Sequence, residues 1–117
     1  MDSKAIQAFL TEMQHKHIEG GCPPTYDDED YVKALGCCQY MYWKLNDKTY
    51  RIGSIRLHPK VKDHPLLMKG VLWHEFAHHM EWQIDGTAGH GKKFNQYYEK
   101  ELFYCILNLF ALLFIRI

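Results

Sequence analysis

The sequence predicts an α+β domain in which an N-terminal helix, an antiparallel β-hairpin, a motif-bearing helix and a C-terminal helix follow one another. Three observations carry that prediction. Ile6, Phe9, Leu10, Met13 and His17 recur at three- and four-residue steps, the period of a helix with one buried face. Residues 36–45 and 50–58 are rich in Tyr, Trp, Ile and Met and flank the short polar turn Asn46-Asp47-Lys48, which is a hairpin pattern. Leu67, Val71, His74 and His78 form a second helical stripe. At 117 residues, 47% hydrophobic and 24% charged, the chain can build one core and is too apolar for disorder. Residues 1–117 therefore read as a single domain.

The first helix is expected over about residues 3–19, with Ser3 as candidate N-cap and Gly20-Gly21 as its end. Cys22-Pro23-Pro24 forces an extended turn, and the acidic run Asp27-Asp28-Glu29-Asp30 reads as a solvated loop capping the next element. In the second strand, Ile52, Ser54, Arg56 and His58 share one face while Gly53, Ile55 and Leu57 share the other, and Pro59 closes it. After a connector, Asp63-His64-Pro65 opens the next helix, with Asp63 or His64 as N-cap and Pro65 in its first turn. That helix runs to about Trp82, and Asp85-Gly86-Thr87-Ala88-Gly89 is a loop.

A final helix is expected to begin near His90-Gly91, carry Phe94, Tyr97, Tyr98 and Leu102, and run on into the tail. Residues 102–117 are apolar apart from Asn108 and Arg116. A bilayer-spanning helix needs about 20 apolar residues, so a buried or partner-facing helix is expected ahead of membrane contact. Apolar residues all round the helix imply packing beneath the preceding helix and engagement of a partner or a second copy.

Lys plus Arg number 14 and Asp plus Glu number 14, so no overall charge favours nucleic acid. Cys22, Cys37, Cys38 and Cys105 contain no CxxC pair. Neighbouring Cys37 and Cys38 would point to opposite faces of a strand, which suits neither a zinc ribbon nor a disulfide framework. Reduced thiols and an N-terminus without an apolar run point to a cytoplasmic, intracellular protein.

The chemistry concentrates in His74-Glu75-Phe76-Ala77-His78, an HExxH motif. On a helix, residues four apart lie one turn apart on the same face, so both imidazoles can reach one ion. Glu75 stands beside the first ligand, where it can serve as the base for a water at the metal. Catalytic zinc normally takes three protein ligands, and His90, beyond the break at Gly86, is the third candidate. The pattern implies Zn2+ held by His74, His78 and His90, with Glu75 catalytic and a protein or peptide as substrate. His58, His79 and Tyr97 are candidates for assisting the oxyanion. His79 is expected more as a packing or ligand-supporting residue, and His15, His17 and His64 at the surface or at caps.

Together with Asp85-Gly86, His90-Gly91-Lys92-Lys93-Phe94 and the upstream Ile55-Arg56-Leu57-His58-Pro59, the motif resembles the SprT-like (Spartan-type) zinc metallopeptidase domain. The resemblance covers about residues 36–98. It implies a minimal zincin-like fold, three histidine ligands matching His74, His78 and His90, and a general base matching Glu75. It further implies that the hairpin strand flanks a cleft and receives extended substrate by strand addition. DNA association is an expectation by this resemblance only, and the zinc ribbon or DNA-binding segment that many members carry has no counterpart here.

Three other readings stay open on sequence grounds. In a peptide deformylase-type site the third ligand would be an upstream cysteine, Cys37 or Cys38. In a glutamate-ligand variant it would be Glu99 or Glu101. A zinc-stabilised protein-binding module would need no base.

Overall fold

The computed structural model describes residues 1–114. Helix α1 spans Ser3–His17, and its Ile6, Phe9, Leu10 and Met13 are buried as the periodicity requires. Its N-cap is Asp2 and not Ser3: the Asp2 Oδ1 accepts from the Ala5 amide at 2.8 Å. Gly20 and Gly21, at φ 78° and 74°, then turn the chain away.

The hairpin is formed by β2 (Gly36–Leu45) and β3 (Lys48–Leu57), once β1 (Thr25–Tyr26) has been laid down. Asn46 and Asp47 both adopt positive φ, 50° and 64°, and Leu45 pairs with Lys48. Lys48 thus belongs to the strand, and the turn is the two-residue type whose twist matches that of paired strands. β1 pairs with β3 in parallel through Thr25↔Ser54 and Tyr26↔Ile55, giving the order β1-β3-β2 with β2 at an edge. The acidic run is a loop, but it is ion-paired, with Arg56 to Asp27 at 2.8 Å and Lys62 to Asp30 at 2.9 Å.

A four-residue helix α2 (Pro59–Lys62) replaces the expected connector, its first turn capped by His58 Nδ1, which accepts from the Lys60 amide. Helix α3 (Pro65–Met80) follows, and its Met68, Val71, Leu72, Trp73, Phe76, Ala77 and Met80 are all buried. They meet α1 on one side and Ile55 and Leu57 of β3 on another, forming the core. Full burial of one such large apolar side chain is worth about 1.5–3 kcal/mol, so α3 is held from several directions. Close approach of sheet to helix requires Gly53, where a Cβ would lie 2.7 Å from Cys38 Sγ and 2.9 Å from His79 Cβ.

The chain continues past α3 as a π-helical turn, Glu81–Asp85, and Gly86 at φ 69° ends it. Helix α4 (Lys92–Tyr98) and helix α5 (Leu102–Phe114) are separate, in contrast to the single helix expected from the apolar run. The break is made by tertiary contacts. Trp73 Nε1 and Cys105 Sγ both donate to the Tyr98 carbonyl, and Glu101 is held by Lys16 and His17 of α1. Helix α5 then folds back along α3 and passes close to Gly70, where a Cβ would stand 2.7 Å from the Asn108 backbone nitrogen. Its Leu102, Phe103, Ile106, Leu109, Phe110 and Leu113 remain exposed. Residues 115–117 of the expected apolar run, with Arg116, lie outside the described residues. Among the described residues, no helix is long and apolar enough to cross a membrane.

Candidate metal centre

Helix α3 sets His74 and His78 one turn apart on one face. The π turn and the left-handed Gly86 reverse the chain, and Gly89, at φ 138°, delivers His90 against both. This returning loop is tied at two points. Thr87 Oγ1 donates to Glu81 Oε2 at 2.8 Å, and the Tyr97 hydroxyl donates to Asp85 Oδ2 at 2.6 Å. Beneath the three imidazoles lies Phe94 of α4, whose ring is stacked on His78 at 4.2 Å and touches His74 and His90, each at 5.0 Å.

The three Nε2 atoms converge. His74 Nε2 is 3.3 Å, and His78 Nε2 3.1 Å, from His90 Nε2. Ligands about 2.0–2.1 Å from a tetrahedral zinc ion stand roughly 3.3 Å apart, so the spacing fits the ion with little adjustment. Burial, followed by the neighbouring histidines, lowers the pKa of His74 to about 4 and that of His78 to about 3. Both rings are therefore neutral near pH 7, the form that coordinates a metal. Converging neutral nitrogens repel through their lone pairs unless a proton or a cation lies between them. Among the described residues this is the group able to hold a metal ion.

Glu75 lies next to these ligands and is 6% exposed, and burial pushes its carboxyl pKa up to about 8. A dication at the three nitrogens would draw that value back down. The group opens on a cleft of about 540 Å³, within the range of small-ligand pockets. Leu35 and the β2 residues Gly36, Cys37, Cys38 and Tyr40 line it, together with Ala88 and Gly89 of the returning loop and Asn108 of α5.

The sequence matches the SprT-like family over residues 7–101. The chain belongs to that family. No curated protein and no solved structure matches it. An N-terminal helix, a three-stranded sheet and following helices make this SprT-like chain a minimal zincin-like domain of the α+β class. The matched residues end before α5 begins.

Several expectations change within the SprT-like frame. His79 faces the core, not the cleft: its Nδ1 accepts from the Gly53 amide at 2.9 Å and its Nε2 meets Gln14 Oε1 at 2.8 Å. His58 caps α2, and the Tyr97 hydroxyl is committed to Asp85, so none of the three oxyanion candidates lines the cleft. His17 is largely covered, held by Glu101 and packed on Trp73 at 5.0 Å. Cys37 and Cys38 do line the cleft, but burial and the neighbouring Glu75 raise both thiol pKa values, which opposes the thiolate a metal would need. Glu101 is bound to α1. Sequence reasoning passed over Tyr40, whose ring stands edge-on to His78 at 6.4 Å, and gave no role to Asn108. An aromatic at the cleft end of an edge strand was the signal available for Tyr40.

Proposed function

We propose that this domain is a zinc-dependent metalloendopeptidase that hydrolyses peptide bonds in protein substrates. The observation that carries the reading is the convergence of three histidine Nε2 atoms beside the buried Glu75 carboxyl at an open cleft. His74, His78 and His90 would hold the ion. Zinc supplies Lewis acidity and brings the pKa of a water close to 7, so that a nucleophile is available at neutral pH.

The protein's own part follows from its geometry. Glu75, held in a low-dielectric pocket beside those nitrogens, would in its ionised form take a proton from the attacking water and later hand it to the leaving amine. The stacked Phe94 and the tied 85–97 segment fix the ligand rings, so their orientation need not be bought during the reaction. Strand β2 is an edge and lines the cleft, so an extended substrate can add to it as a further strand.

The test is Glu75→Gln, which keeps size and hydrogen bonding but accepts no proton. Zinc content should stay near that of the wild type, while cleavage of an unfolded test protein falls about 10²–10⁴-fold. Equal cleavage by the two proteins would sink the mechanism. Zinc binding without any cleavage by the wild type would favour a non-catalytic zinc-stabilised module.

A further inference from the structure

Helix α5 is oriented against its own hydrophobicity. It exposes Ile106, Leu109 and Phe110 at 48%, 57% and 53%, yet buries Asn108 at 4%. Burial of an amide among apolar neighbours is unfavourable unless its polar atoms are used. One atom is used at once: Asn108 Nδ2 donates to the Gly70 carbonyl at 3.3 Å. Gly70 lies one turn before His74 on α3, and its missing side chain is what lets the α5 backbone approach there. The Asn108 side chain accordingly lies beside the His74 ring and interacts with it, and both residues line the cleft.

His74 has a complementary need. Its Nε2 points at His90, which leaves Nδ1 to carry the proton whenever Nε2 coordinates a metal. That Nδ1 is buried and has no fully formed hydrogen bond. A buried N–H without an acceptor is costly, and ligand histidines normally give this proton to a carbonyl or carboxylate that fixes ring and tautomer.

We propose that Asn108 is a positioning residue for the metal centre: its Oδ1 accepts the Nδ1–H of His74 and so aims Nε2 at the ion. The inference rests on the zinc reading given above. It gives α5, which lies beyond the residues matched to the family, a direct part in the site.

The experiment compares zinc affinity, by competition with a chromogenic chelator, in the full chain and in Asn108→Leu and Asn108→Asp. Folding of each is checked by far-ultraviolet circular dichroism. Leucine fills the space without an acceptor, whereas aspartate keeps the oxygen but gives up donation to Gly70. Asn108→Leu should bind zinc about 10–100-fold more weakly, the usual cost of removing a ligand's hydrogen-bond partner. Asn108→Asp should bind like the wild type. Equal affinity in all three proteins, or equal weakening in both variants, would overturn the inference and leave Asn108 a packing residue of α5. A wild type that binds no zinc would overturn the zinc reading and this inference with it. Should Asn108→Leu fail to fold, nitrogen–proton correlation on the zinc-loaded wild type decides. A downfield, slowly exchanging Nδ1 proton on His74 supports the proposal, and its absence refutes it.

Discussion

The two faces of α3 bury histidines in opposite ways. On the core face, His79 is fully enclosed and both of its nitrogens are matched, one accepting from Gly53 and the other donating to Gln14. Gln14 Nε2 in turn donates to the Gly20 carbonyl and to Gln83 Oε1, so the amide that supports His79 is itself held. On the cleft face, His74 and His78 turn Nε2 toward another histidine while each Nδ1 stays buried without a formed hydrogen bond. Folded chains rarely leave buried polar atoms unmatched, so the satisfied face reads as architecture and the unsatisfied face as a binding site. The two classes stand side by side in sequence, at His78 and His79.

The comparison breaks most severely by removal of a cleft ligand. His74→Ala or His78→Ala should each lose most of the bound zinc and lower the thermal midpoint, because metal binding contributes to folding free energy. His90→Ala should weaken retention substantially, and Cys37→Ser or Cys38→Ser should leave it unchanged. Zinc measured by atomic emission on the purified proteins checks this. Metal stripped by a cysteine change but kept in His90→Ala would point to a deformylase-type site instead.

On the core face the expected loss is of stability, not metal. His79→Leu leaves the Gly53 amide and the Gln14 Oε1 without partners, at about 1–3 kcal/mol for each. Urea unfolding of the zinc-loaded variant should show that loss, with zinc stoichiometry intact in the folded protein. Loss of zinc at unchanged stability would mean that His79 serves the site.

The mildest probe is pH, applied to metal-free protein. Burial holds His79 at a pKa of about 3, as it does His78, and His74 near 4, all below the ordinary value of 6.5. The unfolded chain therefore takes up protons first, and the stability these rings confer is lost as pH falls below about 6.5 toward their folded values. Glu75 works in the other direction. Raised from 4.5 to about 8, it destabilises the fold as pH climbs through that interval. Three rings outweigh one carboxyl between pH 4.5 and 6.5, and above that only Glu75 acts. Metal-free protein should thus be most stable near pH 6.5, and zinc should flatten the alkaline side. A urea midpoint that does not fall between pH 6.5 and 5 would contradict the histidine assignment.

What could be read from sequence follows the range of the forces involved. The hairpin was legible because Asn46-Asp47 tolerates positive φ locally, and α1 because its buried face repeats within one segment. The meeting of His74, His78 and His90 needed only helix geometry and a glycine-assisted reversal. β1 was not legible, since two residues form a strand only by pairing with β3, which no local pattern encodes. Nor was the gap between α4 and α5. Neither glycine nor proline marks it, and it exists because Trp73, Cys105, Lys16 and His17 claim atoms at either end. Asn108 read as a blemish in an apolar run because its partners lie on a different helix.

The bond from Gly53 to His79 has a consequence for motion. β1 pairs with β3 from Ser54 onward, so the Gly53 amide stands one residue past the end of that pairing and is taken by an imidazole in place of a strand. Strand ends ordinarily fray, and their amides exchange with solvent on the timescale of local openings. Here the acceptor belongs to a fully buried side chain in the middle of the core. Exposing that amide means withdrawing His79, and with it Gln14 of α1, so helix and sheet must part together. The edge of β3 that β1 leaves uncovered is thus tied to opening of the core around His79.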